Sequence, residues 1–194
     1  MGTQAWLTIG LSAVWFFSEL ALNARRRSTE SPRSKDKLSL LIMWSATVVS
    51  IGFTVTAEFV PALMGNAGKI LSVSPYLGYF GCVLMVCGLG VRFTAIATLN
   101  KQFTVNVAIV KGHEIVDKGL YGMIRHPSYS GSLLTFLGLG LAFENWISLV
   151  ILCVLPLGST LYRISVEEGV LVEHFGAAYE EYKTRTKALI PGVL

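Results

Sequence analysis

Three clusters of polar residues in an otherwise apolar chain could do chemistry. Arg125-His126-Pro127-Ser128-Tyr129-Ser130-Gly131 stands immediately before an apolar run. Proline favours the first position of a helix, so Pro127 is expected to start one and to leave the following amides without intrahelical partners. Such amides, at the positive end of a helix dipole, suit a carboxylate or a phosphate, and Arg125 and His126 crowd further polar groups onto the same mouth. An ordinary helix start at a membrane interface, with Arg125 toward headgroups and Tyr129 in the aromatic belt, accounts for the same residues. In Leu161-Tyr162-Arg163-Ile164-Ser165-Val166-Glu167-Glu168, Arg163 and Glu167 are one helical turn apart and share a face. They read either as a surface ion pair or as an anion clamp beside a carboxylate that accepts hydrogen bonds. Arg92 lies inside the apolar stretch GLGVRFTAIATLN, where a charge must snorkel, pair or line a wet cavity.

Between these clusters runs a polar connection, Asn100 to Arg125, long enough to suggest a working loop. The alternation of Phe103, Val105, Val107 and Ile109 suggests a short extended stretch, and Lys118-Gly119 reads as a turn. His113 is either a ligand contact or a solvated loop residue. Beyond Glu168, Val170, Leu171, Phe175, Ala178, Tyr179 and Tyr182 recur at helical spacing. They form an amphipathic segment that lies on the leaflet or folds back over the site, with no chemistry assigned to it and His174 structural. Cys82, Cys87 and Cys153 fall in apolar runs and read as small hydrophobes. No CxxC or Cys/His cluster points to a metal.

The elements that position these residues follow from composition. The chain has 53% hydrophobic and 14% charged residues, with a mean hydropathy of +0.58, too little polar surface for a soluble domain of this length. Runs of about 20 apolar residues span a bilayer. Three are clear, Gln4 to Leu22, Leu38 to Ala57 and Tyr76 to Leu99, and two are shorter, Ser128 to Phe143 and Trp146 to Tyr162. The shorter two, parted only by Glu144 and Asn145, read as a helical hairpin packed through Gly131, Gly138, Gly140 and Gly158. The expected fold is therefore an all-α polytopic bundle of about five transmembrane helices, the last two a hairpin.

Basic residues fall in alternate connections: Arg25, Arg26, Arg27, Arg33, Lys35 and Lys37 in the first, Lys101, Lys111, Lys118 and Arg125 in the third, and Arg163, Lys183, Arg185 and Lys187 in the tail. Lys69 lies on the other side, and Glu58 marks that opposite interface. An N-terminus outside and a C-terminus in the cytoplasm satisfy these placements. The net charge of +4 is then accounted for by topology and anionic headgroups, with no nucleic acid partner. A cleaved signal peptide is not expected, because the basic cluster follows the first apolar run. Residues 1–99, with the basic loop 23–37, form one region of three spans, and residues 100–194 form a second that carries the motifs.

The ordered set HEIVDKGLYGMIRHPSYSG, a hairpin, then EEGVLVEHFGAAYEEY resembles the isoprenylcysteine carboxyl methyltransferase family of membrane methyltransferases. GLGVR and the Phe103 region extend the likeness into the third span. The resemblance implies S-adenosyl-L-methionine as cofactor in a cytoplasmic C-terminal site, and a lipophilic or lipidated acceptor. It implies that His113, Glu114, Ile115 and Val116 contact the cofactor, that Tyr121, His126, Pro127, Ser128 and Tyr129 line its pocket, and that Glu167 binds it. Arg163 corresponds to the arginine that meets the acceptor's carboxylate, with Arg92 a further candidate on the substrate side, and Arg163 with Glu167 forms the expected catalytic pair. The family's polar residue ahead of the His-x-Leu-Val stretch has no clear counterpart in this shorter loop. Its acidic cluster is reduced to Glu167-Glu168, and the N-terminal spans show no identity to it.

Rival readings are methyl transfer to a phospholipid amine or a small thiol, an NADPH-dependent reductase of sterol or polyprenyl substrates, and a membrane protein without enzymatic activity. A missing GxGxxG separates none of them.

Overall fold

The apolar runs fold as helices in a computed structural model that describes residues 2–25, 34–59, 68, 70, 76–105, 112 and 114–193. These are α1 (Thr3–Arg25), α2 (Ser34–Phe59), α3 (Leu77–Leu99), α4 (Pro127–Ala142), α5 (Trp146–Phe175) and α6 (Ala177–Arg185). Expectations placed on Arg26, Arg27, Arg33, Lys69, Val107, Ile109, Lys111 and His113, and on the side chains of Lys35, Glu58 and Lys101, lie outside the described residues.

Among the described residues four helices, α1, α2, α3 and α5, are long and apolar enough to cross a membrane, and the protein is an integral multi-pass membrane protein. The run expected to supply the fifth span, Ser128 to Phe143, forms a helix of the same length. With 16 residues, α4 reaches about 24 Å at 1.5 Å per residue, less than the ~30 Å of a hydrocarbon core. The last apolar run stops at Tyr162 and α5 continues beyond it to Phe175, as the helical face shared by Arg163 and Glu167 requires, because loss of hydropathy does not interrupt backbone hydrogen bonding. What stops it is Gly176, at φ 55°, a left-handed conformation that favours glycine.

Helices α3 and α4 pack most intimately, through glycines that leave room for backbone. A Cβ on Gly131 would stand 2.6 Å from the Arg92 amide nitrogen, and one on Gly138 would stand 2.5 Å from the Gly81 carbonyl. Gly140 meets Leu149 of α5 in the same way, whereas Gly158 has nothing within 4 Å and takes no part in packing. Trp15, Met85, Leu89, Phe136, Leu139 and Leu152 form the core between α1, α3, α4 and α5. Outward, Trp6, Phe17, Val48, Val83 and Val154 are exposed, as a bilayer-facing surface requires. Cys87 belongs to that outer surface rather than to the packing, while Cys82 is buried.

Residues Phe143 to Asn145 join α4 to α5. The Asn145 side chain caps α5, accepting from the Ile147 and Ser148 amides at 3.0 and 3.2 Å. The C-terminal tail returns to the start of α4: the Arg125 and His126 amides donate to the Lys187 and Ala188 carbonyls at 2.8 and 3.0 Å. This tie closes the end of the bundle where the polar motifs lie.

Candidate functional site

One cavity gathers residues from all three polar clusters. Its walls carry Glu114, Ile115, Val116 and Tyr121 from the connection, His126, Ser128 and Tyr129 from the start of α4, and Arg163 and Glu167 from α5. Arg92 of α3 and Glu19 of α1 close its inner end, and Leu171, Phe175, Tyr179 and Tyr182 cover it from the C-terminal segment. Leu171 and Phe175 reach the cavity from the unbroken end of α5, and the chain turns back over it only after Gly176, with Tyr179 and Tyr182 of α6. Of the other residues singled out by sequence, Pro127 is fully buried and supports the wall without lining it. Because His126 occupies the N-cap, Pro127 does begin α4. The following amides are less free than proline alone suggested, since the Tyr129 and Ser130 amides both donate to the His126 carbonyl, at 3.0 and 3.1 Å.

The electrostatics are set by two adjacent carboxylates with different surroundings. Glu167 accepts from the Tyr129 hydroxyl at 2.9 Å and is the more open of the two, its side chain 29% exposed against 14% for Glu168. Glu168 is engaged within the protein: Arg125 Nε lies 2.7 Å and His126 Nε2 3.1 Å from its Oε1. One residue's difference in a helix turns a side chain by about 100°, which points Glu167 at the cavity and Glu168 at the α4 start. Arg125 is thus held inside the protein and does not face headgroups. Burial, then the Glu167 charge, raises the Tyr121 phenol well above its ordinary pKa, and burial pushes Tyr182 up to about 12. Both stay protonated near neutrality, and the Tyr182 hydroxyl donates to the Tyr121 carbonyl at 2.6 Å.

Both arginines singled out by sequence have partners that sequence did not reveal. Arg92 pairs with Glu19, Nε to Oε1 at 2.6 Å and Nη2 to Oε2 at 2.8 Å. Its Nη1 donates to the Ser128 carbonyl and hydroxyl at 3.1 and 2.9 Å. Arg163 is paired with Asp36 at the start of α2, not with Glu167 one turn along its own helix. Glu19 and Asp36 stand singly near the ends of apolar runs, where a lone carboxylate resembles an interface marker. Gln102, also unremarked in sequence, lines the cavity and accepts from the Glu114 amide at 3.2 Å.

Beyond the Glu19–Arg92 pair, toward the opposite end of the bundle, a second cavity of about 650 Å³ is lined mainly by apolar side chains such as Ile9, Phe16, Ile51 and Phe143. Trp15 and Met85, one and two turns from that pair along α1 and α3, belong to this chamber. The ion pair thus separates a polar pocket from an apolar one.

The polar pocket suits a nucleotide-bearing amino acid in its donor set: an open carboxylate for an ammonium or hydroxyls, neutral phenols and apolar walls in Ile115, Val116 and Leu171. A family model for phospholipid methyltransferases matches residues 77–178, which contain most of that wall. A probable protein-S-isoprenylcysteine O-methyltransferase of Oryza sativa subsp. indica is 28% identical over 190 residues, covering 97% of this chain and 96% of its own. The protein-S-isoprenylcysteine O-methyltransferase of Saccharomyces cerevisiae is 37% identical over 113 residues, 57% of this chain and 47% of that one. Among solved structures, the eukaryotic intramembrane Ras methyltransferase ICMT (isoprenylcysteine carboxyl methyltransferase) superposes with a TM-score of 0.66 at 25% identity, covering 96% of this chain and 65% of that one.

Proposed function

We propose that this chain, which belongs to the phospholipid methyltransferase family and is similar to isoprenylcysteine carboxyl methyltransferases, methylates the carboxylate of a lipophilic acceptor from S-adenosyl-L-methionine. The observation that carries this reading is the single cavity joining Glu167, Tyr129 and the connection Glu114 to Val116 with a buried arginine at its edge. Glu167, Tyr129, His126, Ser128 and Tyr121 would hold the cofactor with Glu114, Ile115 and Val116, and Pro127 would fix the helix start beneath them. His113, next to Glu114 in sequence, is carried by the resemblance alone. When bound, S-adenosyl-L-methionine supplies a methyl group on a positively charged sulfur.

The chain's own part is then to align and to keep dry. An acceptor carboxylate is ionised at neutral pH, so no side chain has to remove a proton. Arg163 would orient that carboxylate through the N–H groups it does not spend on α2 and the connection. Arg92, committed to Glu19 and Ser128, would hold the floor on the substrate side. Positioning with water excluded can lower a barrier by about 7–11 kcal/mol, enough to make a general base unnecessary. The two-region division, three spans at residues 1–99 and the catalytic part at 100–194, fits this assignment. So does an inward-facing site with the N-terminus outside, because a polar cofactor is supplied from the cytoplasm. The relatives' names favour an isoprenylcysteine acceptor, in line with the apolar surroundings.

The family model's own description favours one second reading, a phospholipid amine as acceptor. A panel of lipophilic acids, amines and thiols, offered with labelled cofactor to the purified protein, separates the two: label in the acid supports the proposal, and label confined to the amine overturns it. S-adenosyl-L-methionine at 100 times its dissociation constant is expected to stabilise the protein by about 2.7 kcal/mol, with NADPH without effect. The opposite pattern would indicate a reductase.

A further inference from the structure

We propose that Asp36, with Ser39, is a positioning residue for Arg163; this deepens the reading above and rests on Arg163 as the acceptor's contact. Asp36 opens the second helix, whose apolar run carries no motif of its own. Its side chain is 2% exposed and ion-paired to Arg163 Nη1, itself 1% exposed. The same nitrogen donates to the Asp36 carbonyl at 3.2 Å and to Ser39 Oγ at 2.7 Å, and Nη2 donates to the Val105 carbonyl at 2.9 Å. Two segments far apart in sequence thus converge on one guanidinium.

An arginine side chain is long and rotamer-rich, and its recognition of a carboxylate depends on the direction of a planar fork. Asp36 and Ser39 fix the fork's outer edge with a charge-assisted bond and a neutral one. Arg163 reaches the cavity wall, whereas Asp36 and Ser39 do not line it, so they act through the arginine. The pair is formally neutral. Acid recognition therefore depends on where the remaining N–H groups point more than on bulk attraction, and turning them harms the acceptor while sparing the cofactor.

The test uses the full-length chain in lipid nanodiscs, an S-prenylated N-acetylcysteine as acceptor and S-adenosylhomocysteine as binding probe. Asp36→Asn is expected to raise the acceptor KM about tenfold and Ser39→Ala about threefold. The dissociation constant of the probe should stay within about twofold, and Asp36→Glu should recover most of the acceptor KM. Should Asp36→Asn fail to fold, Ser39→Ala decides alone. An unchanged KM, a KM that falls, or cofactor affinity lost in step overturns the assignment. A wild-type chain that methylates amines and leaves the acid untouched overturns the acceptor reading instead, a result distinct from variants that leave acid turnover unaltered.

Discussion

At the scale of single residues, the two neighbouring glutamates show how one helical step divides labour. Glu167 looks into the cavity and Glu168 is tied to Arg125 and His126, so their substitutions should differ. Glu167→Ala is expected to abolish binding of the demethylated cofactor while the fold survives, as read by titration calorimetry and a thermal melt; intact binding would remove Glu167 from the cofactor site. Tyr129→Phe deletes one hydrogen bond to that carboxylate and should weaken binding about tenfold, or ~1.4 kcal/mol. Arg163→Ala should spare cofactor binding and remove acid turnover, and joint loss would contradict the division of roles. Glu167 and Arg163 stood out in sequence as opposite charges one turn apart at a helix exit, and only the family resemblance gave them roles. Glu19 and Asp36 did not, because their partners lie 73 and 127 residues away and no periodicity links them. Removing one partner of a buried ion pair costs about 3–5 kcal/mol, so Glu19→Ala should lower the melting temperature sharply; a melt like wild type would show the pair to be unimportant.

At the scale of elements, hydropathy located the apolar helices among the described residues, and the expectation their lengths do not carry is α4 as a full crossing. The small residues were a better guide, because a glycine row on a helix marks where another backbone comes close. That row predicts a contrast between a glycine of α4 that meets α3 and a glycine of α5 that meets nothing. Gly131→Val places side-chain atoms against the Arg92 backbone and should destabilise the protein and impair cofactor binding, because it pushes Ser128 away from Arg92. Gly158→Ala meets nothing and should be neutral or stabilising by up to about 1 kcal/mol. Equal melts for the two variants would contradict the α3–α4 packing described above.

At the scale of the whole molecule, the fold brings the ends of several helices to one polar mouth, while the middle of the bundle stays apolar. The all-helical membrane character was legible from composition alone. The site was legible only as separate motifs, because the contacts that unite them, Arg92 to Ser128, Tyr129 to Glu167 and Arg125 to the tail, are set by packing. The C-terminal segment from Ala177 completes the enclosure through Tyr179, Tyr182 and the tie to Arg125 and His126. The enclosure is proposed to form a methyl ester on a lipophilic acid. Ester formation is tested most directly by giving the purified protein methyl-labelled S-adenosyl-L-methionine and an S-prenylated cysteine, then treating the extracted product with alkali. Label released as volatile methanol is the expected result, as an ester requires; label that stays with the lipid through alkali, as on an amine or a sulfur, or no transfer at all, would overturn ester formation.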